Sequence, residues 1–191
     1  GVPSSLAMLI LAEPMIAALF HHGKFSEHDV RMSAAALQAL SGGILAFMLI
    51  KVFAPGYYSR QDTKTPVKIG IIAMVSNMVF NLMLVWHFNH VGLAFASTLS
   101  AFLNAGLLYH GLHKQNVFRL EKHWRVLALR YGFANIVMVA VLLLITPNLA
   151  FWLDAHALHK VAYLLAICVA GVVTYLVALT ITGFKWRELK H

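Results

Sequence analysis

VAYLLAICVAGVVTYLVALTI, residues 161–181, contains no charged side chain at all. A helix of that length is about 31 Å long at 1.5 Å per residue, and the hydrocarbon core of a bilayer is about 30 Å thick. A surface helix of a soluble domain would break the run with polar residues every third or fourth position. Here every side of the helix is apolar. An outer-membrane strand is excluded as well, because the stretch lacks the apolar/polar alternation such a strand needs. The segment reads as a membrane-crossing helix.

Working outward, comparable windows cover residues 2–20, 34–54, 67–88, 91–113 and 126–147, with the quoted run lying in a sixth at 159–184. The separators are polar or turn-like: HHGKFSEHDVR, SRQDTKTP, the tight HFNHVG, HKQNVFRLEKHWR and the softer PNLAFWLDAHALHK. Pro14, Pro55 and Gly56 fall inside or at the end of spans, where membranes tolerate kinks. Over all 191 residues, 60% are hydrophobic and 12% charged. A soluble domain carries about 25% charged residues and just under 50% apolar ones. A disordered chain, a coiled coil and an ordinary cytosolic enzyme are therefore excluded. The single cysteine, Cys168, rules out a disulfide framework and a CxxC metal knuckle. The expected fold is all-α, a polytopic membrane helix bundle with six transmembrane helices. The chain opens at Gly1 in a membrane span, with no initiator Met and no signal-peptide pattern, so it reads as a piece of a longer polytopic protein.

Orientation follows from Lys and Arg. Arg60, Lys64, Lys68, Lys114, Arg119, Lys122, Arg125, Lys185, Arg187 and Lys190 fall on one side, and Lys24, Arg31 and Lys160 on the other. Ten against three places the richer side, and with it both ends of the chain, in the cytoplasm. The net charge of +8 is thus mostly a topology signal. Nucleic acid is not an expected partner, since nothing outside the membrane is long enough to form a basic soluble surface. Small residues recur every four positions along three spans: Ala34, Gln38, Gly42 and Ala46; Gly92, Ala96, Ser100 and Asn104; Ala162, Ala166, Ala170, Thr174 and Ala178. Such ridges let helix backbones approach closely where lipid supplies no hydrophobic drive.

A charge at the centre of a membrane helix costs at least ~2.5–3.5 kcal/mol, so Glu13 and Lys51 need a reason. Glu13 lies roughly 16 Å above the cytoplasmic start of its span, next to Pro14. It is a candidate coupling site or a protonated structural acid. Lys51 lies within about one turn of the cytoplasmic interface. It either snorkels to the headgroups or lines a cavity. Their different depths argue against a simple pair. Asn77 and Asn81 share a face of the third span at i,i+4 spacing; Ser97, Ser100 and Asn104 share one of the fourth. With a short turn between them, these spans are expected to be adjacent and antiparallel, forming a hydrogen-bonded seam or a polar cavity wall. Among the eleven histidines, the i,i+3 pairs His87/His90, His110/His113 and His156/His159 lack a third ligand at fixed spacing, so no metal is expected. No catalytic residue is expected either: the acidic residues lie mostly in loops, and neither GxSxG, a Walker loop nor HExxH is present. No cofactor motif is visible.

The most distinctive stretch is KVFAPGYYSRQDTKTPVKI, Lys51 to Ile69. Pro55-Gly56 is expected to end a helix, Tyr57 and Tyr58 to sit at the interface, and Thr65-Pro66 to open the next helix. This string resembles the MurJ/MviN lipid II flippase family of the MOP transporter superfamily. So do the opening GVPSS, LFHHGKFSEHD, VGLAFASTLSAFLNAGLLY and the closing ITGFKWREL. The resemblance covers essentially the whole chain. It implies a protein of about fourteen helices in two six-helix lobes plus a terminal pair, in the bacterial inner membrane, of which this chain would be the last six helices. Residues 1–113 would be the last four helices of the C-terminal lobe, 114–125 a basic cytoplasmic loop, and 126–191 the terminal pair and tail. For the family, the terminal pair is said to line a groove for the polyprenyl tail. The implied activity is translocation of lipid II, the undecaprenyl-diphosphate-linked peptidoglycan precursor, from the inner to the outer leaflet for cell-wall synthesis. The implied partners are lipid II, membrane lipids and the missing N-terminal helices. Carried onto this sequence, the resemblance makes Lys51 a headgroup-attracting cation, Arg60, Asp62 and Lys64 a gate or hinge network, and Asn77, Asn81 and Asn104 cavity candidates. Related MOP exporters, either a polysaccharide-lipid flippase or a drug/cation antiporter, are an alternative. So is a non-transporting scaffold that docks cell-wall enzymes. An antiporter would rest on Glu13, the one acid within a span.

The charge count is tested by labelling single cysteines at 119 and 187 in a Cys168→Ser background. Both are expected to react with a membrane-impermeant reagent only after the cells are permeabilised. Labelling of intact cells at either position overturns the orientation.

Overall fold

A computed structural model describes residues 1–20, 26–114, 123–147, 151–152 and 157–181. Helices are the only regular elements among them: α1 (Val2–Phe20), α2 (Glu27–Tyr58), α3 (Lys64–Lys114), α4 (His123–Ile145) and α5 (Ala157–Ile181). The third element is 51 residues long but cannot be a straight rod. Asn77 Nδ2 donates a 3.0 Å hydrogen bond to Ser100 Oγ, whereas a straight helix would hold those residues about 35 Å apart. The helix doubles back between Leu84 and Gly92, at the HFNHVG break, into the spans Lys64–Trp86 and Val91–Lys114. With Val2–Phe20, Glu27–Tyr58 and His159–Ile181, five segments are long and apolar enough to cross a bilayer. A shorter apolar helix, Leu129–Ile145, occupies the remaining window. The six-span expectation corresponds to this architecture.

Helix ends follow local chemistry. Ser26 and Asp29 form a reciprocal capping box at the start of α2: the Ser26 hydroxyl and N–H donate to Asp29 Oδ2 at 2.7 and 2.9 Å, and Asp29 N–H donates back to Ser26 Oγ at 3.3 Å. One turn on, Arg31 pairs with Glu27 at 2.7 Å. Pro55-Gly56 does not end α2. The helix continues to Tyr58, and Ser59 N–H still donates to the Pro55 carbonyl at 2.9 Å. Proline removes only its own donor, and a membrane helix absorbs that loss.

The chain packs as two compact units, Gly1 with Ala35–Leu120 and Val2–Ala34 with Glu121–His191. In the first unit, α2 meets the second span of α3 through small residues. Thr98 Oγ1 donates to the Ala39 carbonyl at 2.7 Å, and a Cβ on Gly43 would come within 2.9 Å of that oxygen. Ala46, Ala101 and Ala105 are buried along the same contact. Phe53, Tyr57, Ile69, Leu108 and Leu112 fill the end nearest the α2–α3 junction. The expected ridge on the second span of α3 is used: Gly92, Ala96 and Ser100 are buried.

In the second unit, α1 packs on α4 and α5. Its core contains Leu11, Met138, Leu142, Trp152, Leu164 and Ile167. The expected small-residue ridge of α5 is only partly the packing face there. Ala178 is buried, but Ala162 and Ala166 are exposed, and Leu164, Ile167 and Gly171, which lie off that ridge, are buried. Gly171 supplies the close approach: a Cβ there would stand 3.1 Å from Leu142 Cδ2. The other surprise is Trp152, fully buried although it lies in a stretch read as a break. Its ring stands edge-on to Tyr163 at 6.0 Å.

The reversal in α3 generates a clear expectation. A Cβ on Gly92 would sit 2.5 Å from the Leu84 carbonyl oxygen and 2.7 Å from its carbon. Backbone cannot step aside as a flexible side chain can. Gly92→Ala should therefore lower stability in detergent by about 1–3 kcal/mol, read as a fall in Tm. Gly106→Ala, with open space around its Cβ, should leave Tm nearly unchanged.

Candidate functional site

Three places collect the residues singled out from sequence: the α2–α3 junction, a polar pocket in the first unit, and an apolar groove in the second.

At the junction, Tyr57 and Tyr58 part company. Tyr58 is 51% exposed, whereas Tyr57 is fully buried and donates a 2.8 Å hydrogen bond to the Leu108 carbonyl. Its ring lies over Gly111, where any Cβ would collide with the phenol oxygen. The chain then turns in a Schellman motif, with Asp62 N–H donating to the Tyr57 carbonyl at 3.2 Å and Gln61 N–H to the Tyr58 carbonyl at 3.0 Å. Gln61 occupies the left-handed position of that motif, φ 60°. Asp62 at once caps the following helix, its Oδ1 accepting from Thr65 N–H at 3.0 Å. The Thr65 hydroxyl and N–H hold the Asp62 carboxyl below the usual carboxylate range, with smaller help from Lys64 N–H and the Lys68 charge. Helix end, turn and helix start thus take up only the residues from Tyr57 to Thr65. Arg60 and Lys64 are exposed at this junction, and Lys51, six residues before Tyr57, is exposed too.

The polar pocket, about 320 Å³, lies among α2 and both spans of α3. Phe47 and Ile50 come from α2, Gly70, Ala73, Met74 and Asn77 from the first span, and Ser97, Ser100, Ala101 and Asn104 from the second. A directional hydrogen-bond chain runs along its wall. Asn81 Nδ2 donates to Asn77 Oδ1 at 2.9 Å, Asn77 Nδ2 to Ser100 Oγ at 3.0 Å, and Ser100 Oγ to the Ser97 carbonyl at 3.0 Å. A carbonyl can only accept, so the whole chain is polarised away from Asn81. Asn81 Oδ1 is left buried without a partner. The pocket gathers amides and hydroxyls and no titratable group, so it can hydrogen-bond a polar guest but not exchange protons with one.

The structure therefore brings Asn77 and Asn104 to one pocket, with Asn81 hooked behind Asn77. Lys51, Arg60, Asp62 and Lys64 do not line it. Glu13 belongs to the other unit, half-buried on α1 beside the buried Pro14. In that unit α1, α4 and α5 enclose an apolar groove of about 320 Å³, lined by Pro3, Ala7, Leu11, Leu142, Cys168 and Tyr175 among others. His113 stacks on Tyr109 at 5.9 Å. His21, His22, His156, Arg119 and the tail from Thr182 lie outside the described residues. Sequence reasoning missed the Tyr57–Gly111 contact, because a tyrosine at a helix end is ordinarily an interface residue and nothing local marks Gly111 as its seat.

A profile of the family described as "Lipid II flippase MurJ" matches residues 1–165. The chain is 45% identical over 190 residues to the "Probable lipid II flippase MurJ" of Vibrio cholerae serotype O1, covering 100% of this chain and 36% of that protein. It is 43% identical over 189 residues to the protein of that name in Haemophilus influenzae, covering 99% of this chain and 37% of the relative. It is 34% identical over 200 residues to the "Lipid II flippase MurJ" of Burkholderia cenocepacia, covering 100% of this chain and 37% of that relative. The chain thus spans a little over a third of the length of these curated relatives.

At the junction, a non-glycine residue in the left-handed region carries a cost of roughly 1–2 kcal/mol. Gln61→Gly should recover about 1 kcal/mol of it and raise Tm in detergent. Gln61→Val should lower it. Equal melting of all three proteins would show that the turn is not held as described.

Proposed function

The chain belongs to the lipid II flippase MurJ family, and on that premise we propose that it is the C-terminal portion of a transporter carrying lipid II from the inner to the outer leaflet of the bacterial cytoplasmic membrane. The observation that carries this reading is sequence identity of 34–45% sustained over the full chain with proteins bearing that name. Membership in a transporter family and five membrane-length helices make the protein a multi-pass membrane protein. In the proposed arrangement both ends face the cytoplasm. Residues 1–113 supply the last four helices of a lobe, 114–125 a basic loop, and 126–191 the terminal pair.

The physical difficulty in moving such a lipid is its headgroup. Unsatisfied polar groups in hydrocarbon cost several kcal/mol each. A water-filled cavity between lobes offsets that loss, and rocking of the lobes exposes it to each face in turn. We assign Lys51 to attracting the diphosphate near the inner mouth, and Arg60, Asp62 and Lys64 to a cytoplasmic hinge. The short, capped junction between α2 and α3 supports the hinge assignment, since it joins two helices without slack. Asn77, Asn81 and Asn104 are assigned to a polar wall of the transporter interior, which the pocket shared by Asn77 and Asn104 and the hydrogen bond from Asn81 to Asn77 support. The apolar groove among α1, α4 and α5 suits the polyprenyl tail, which needs area and no hydrogen bonds. Glu13 is assigned to coupling, on its half-buried place within a membrane helix.

The test uses cells depleted of their own lipid II flippase. This chain, co-expressed with the remaining two-thirds of the Vibrio cholerae relative, is expected to restore wall synthesis and lipid II translocation, whereas the chain alone is not. Lys51→Gln in the pair should cut translocation roughly tenfold, the equivalent of one charge-assisted hydrogen bond of about 1.5 kcal/mol. Rescue by the chain alone, or failure of the pair where the intact relative succeeds, overturns the proposal.

A further inference from the structure

Helix α2 belongs to both units. Its first turns, through Ala34, pack within the second unit, where Val30 shares a core with Leu11, Trp152 and Leu164. From Ala35 on it packs within the first, through Ala46 beside Ala101 and Ala105 and through the Tyr57 hydrogen bond to the Leu108 carbonyl. If the units shift relative to one another, a helix held in both must bend.

A bend is easiest between Gln38 and Gly43. In an α-helix the Gln38 and Ala39 carbonyls accept from the N–H groups of Gly42 and Gly43. Here each of the two carbonyls also takes a hydroxyl. Ser41 Oγ donates to the Gln38 carbonyl and Thr98 Oγ1 to the Ala39 carbonyl, both at 2.7 Å. Opening a helix bond inside a bilayer is costly because the freed carbonyl finds no water. These two carbonyls keep a partner when their helix bonds open. Serine back-bonding of this kind bends helices, and sharp kinks gather at glycine and serine. The donors of both helix bonds are glycines, which have the widest backbone freedom.

Packing accounts for only one of those glycines. Gly43 has to be small, since a Cβ there would come within 2.9 Å of Thr98 Oγ1. At Gly42 a Cβ would meet only Thr98 Cγ2, at an ordinary 3.8 Å. Alanine would fit at that position and make the stronger helix.

We infer that α2 is jointed at Gln38–Gly43, so that its outer turns move with α1, α4 and α5 while its inner half stays on the second span of α3. The joint lets the apolar groove and the polar pocket change their mutual setting without either unit coming apart. It is separate from the turn at Arg60–Lys64, and it does not depend on which lipid is moved.

The test measures spin-label distances by pulsed electron double resonance in the complete transporter, reconstituted in bilayers with its other cysteines removed. Labelled cysteines replace exposed residues at position 28 or 52 of α2, each paired with one at position 93 on the second span of α3. About ten residues of helix separate His28 from Gln38, so a bend of about 25° carries position 28 roughly 6 Å. The 28–93 pair is expected to show two populations about that far apart, and the 52–93 pair a single one. Gly42→Ala stiffens the joint, and Ser41→Ala removes the second partner of the Gln38 carbonyl. Each is expected to merge the two populations, Gly42→Ala with an equal or higher Tm. A single 28–93 distance in the unaltered protein, two populations that survive either substitution, or a fall in Tm for Gly42→Ala would overturn the inference. So would splitting of both pairs, which a swing of the whole helix about Tyr57 would give. No transport is read, so the outcome is separate from that of lipid II translocation.

Discussion

A helix surrounded by lipid gains little by turning its apolar side chains toward another helix, because the tails are as apolar as leucine. What holds this chain together is close contact at small residues, together with the requirement that every polar group find a partner within the protein. The first unit illustrates both. Gly43 and Ala39 lie against Thr98, whose hydroxyl spends its proton on the Ala39 carbonyl. Ala46, Ala101 and Ala105 continue the seam. Large side chains take over only near the junction, where Tyr57, Leu108 and Leu112 form a conventional core.

The same requirement explains what could be read from sequence. Span positions are set by length and the absence of charge, both visible without knowing any neighbour. The α3 reversal was legible from HFNHVG, and the Asn77–Ser100 contact follows from two polar faces brought together by a short turn. Contact faces were less legible. On the second span of α3, small residues mark the buried side because α2 approaches there. On α5 the ridge of Ala162 and Ala166 is exposed while Leu164 and Ile167 are buried. Spacing names a candidate face, but only a partner decides whether it is used. Trp152 escaped because a short apolar stretch between breaks says nothing about where its largest ring will lodge.

The candidate residues divide along similar lines. The amides were identifiable because a short polar side chain in a membrane span has few explanations. Their direction of hydrogen bonding was not, since it is fixed by a backbone carbonyl at Ser97 that spacing cannot reveal. The charged residues Lys51, Arg60 and Lys64 are exposed, and Asp62 serves as a helix cap. Their chemistry lies in the turn they build as much as in the charge they carry.

Tyr57 binds the end of α2 to the far span of α3 while the Schellman turn binds it to the near one. Three rods are therefore riveted together at this end, while at the other the reversal of α3 ties only its own two spans to each other. Beyond the rivet, α2 meets the far span through alanine, glycine and one threonine hydroxyl, which slide more readily than interlocked rings. Any splaying of this trio must swing α2 away from the closed α3 pair, like one blade of a folding knife, with Tyr57 as the pin.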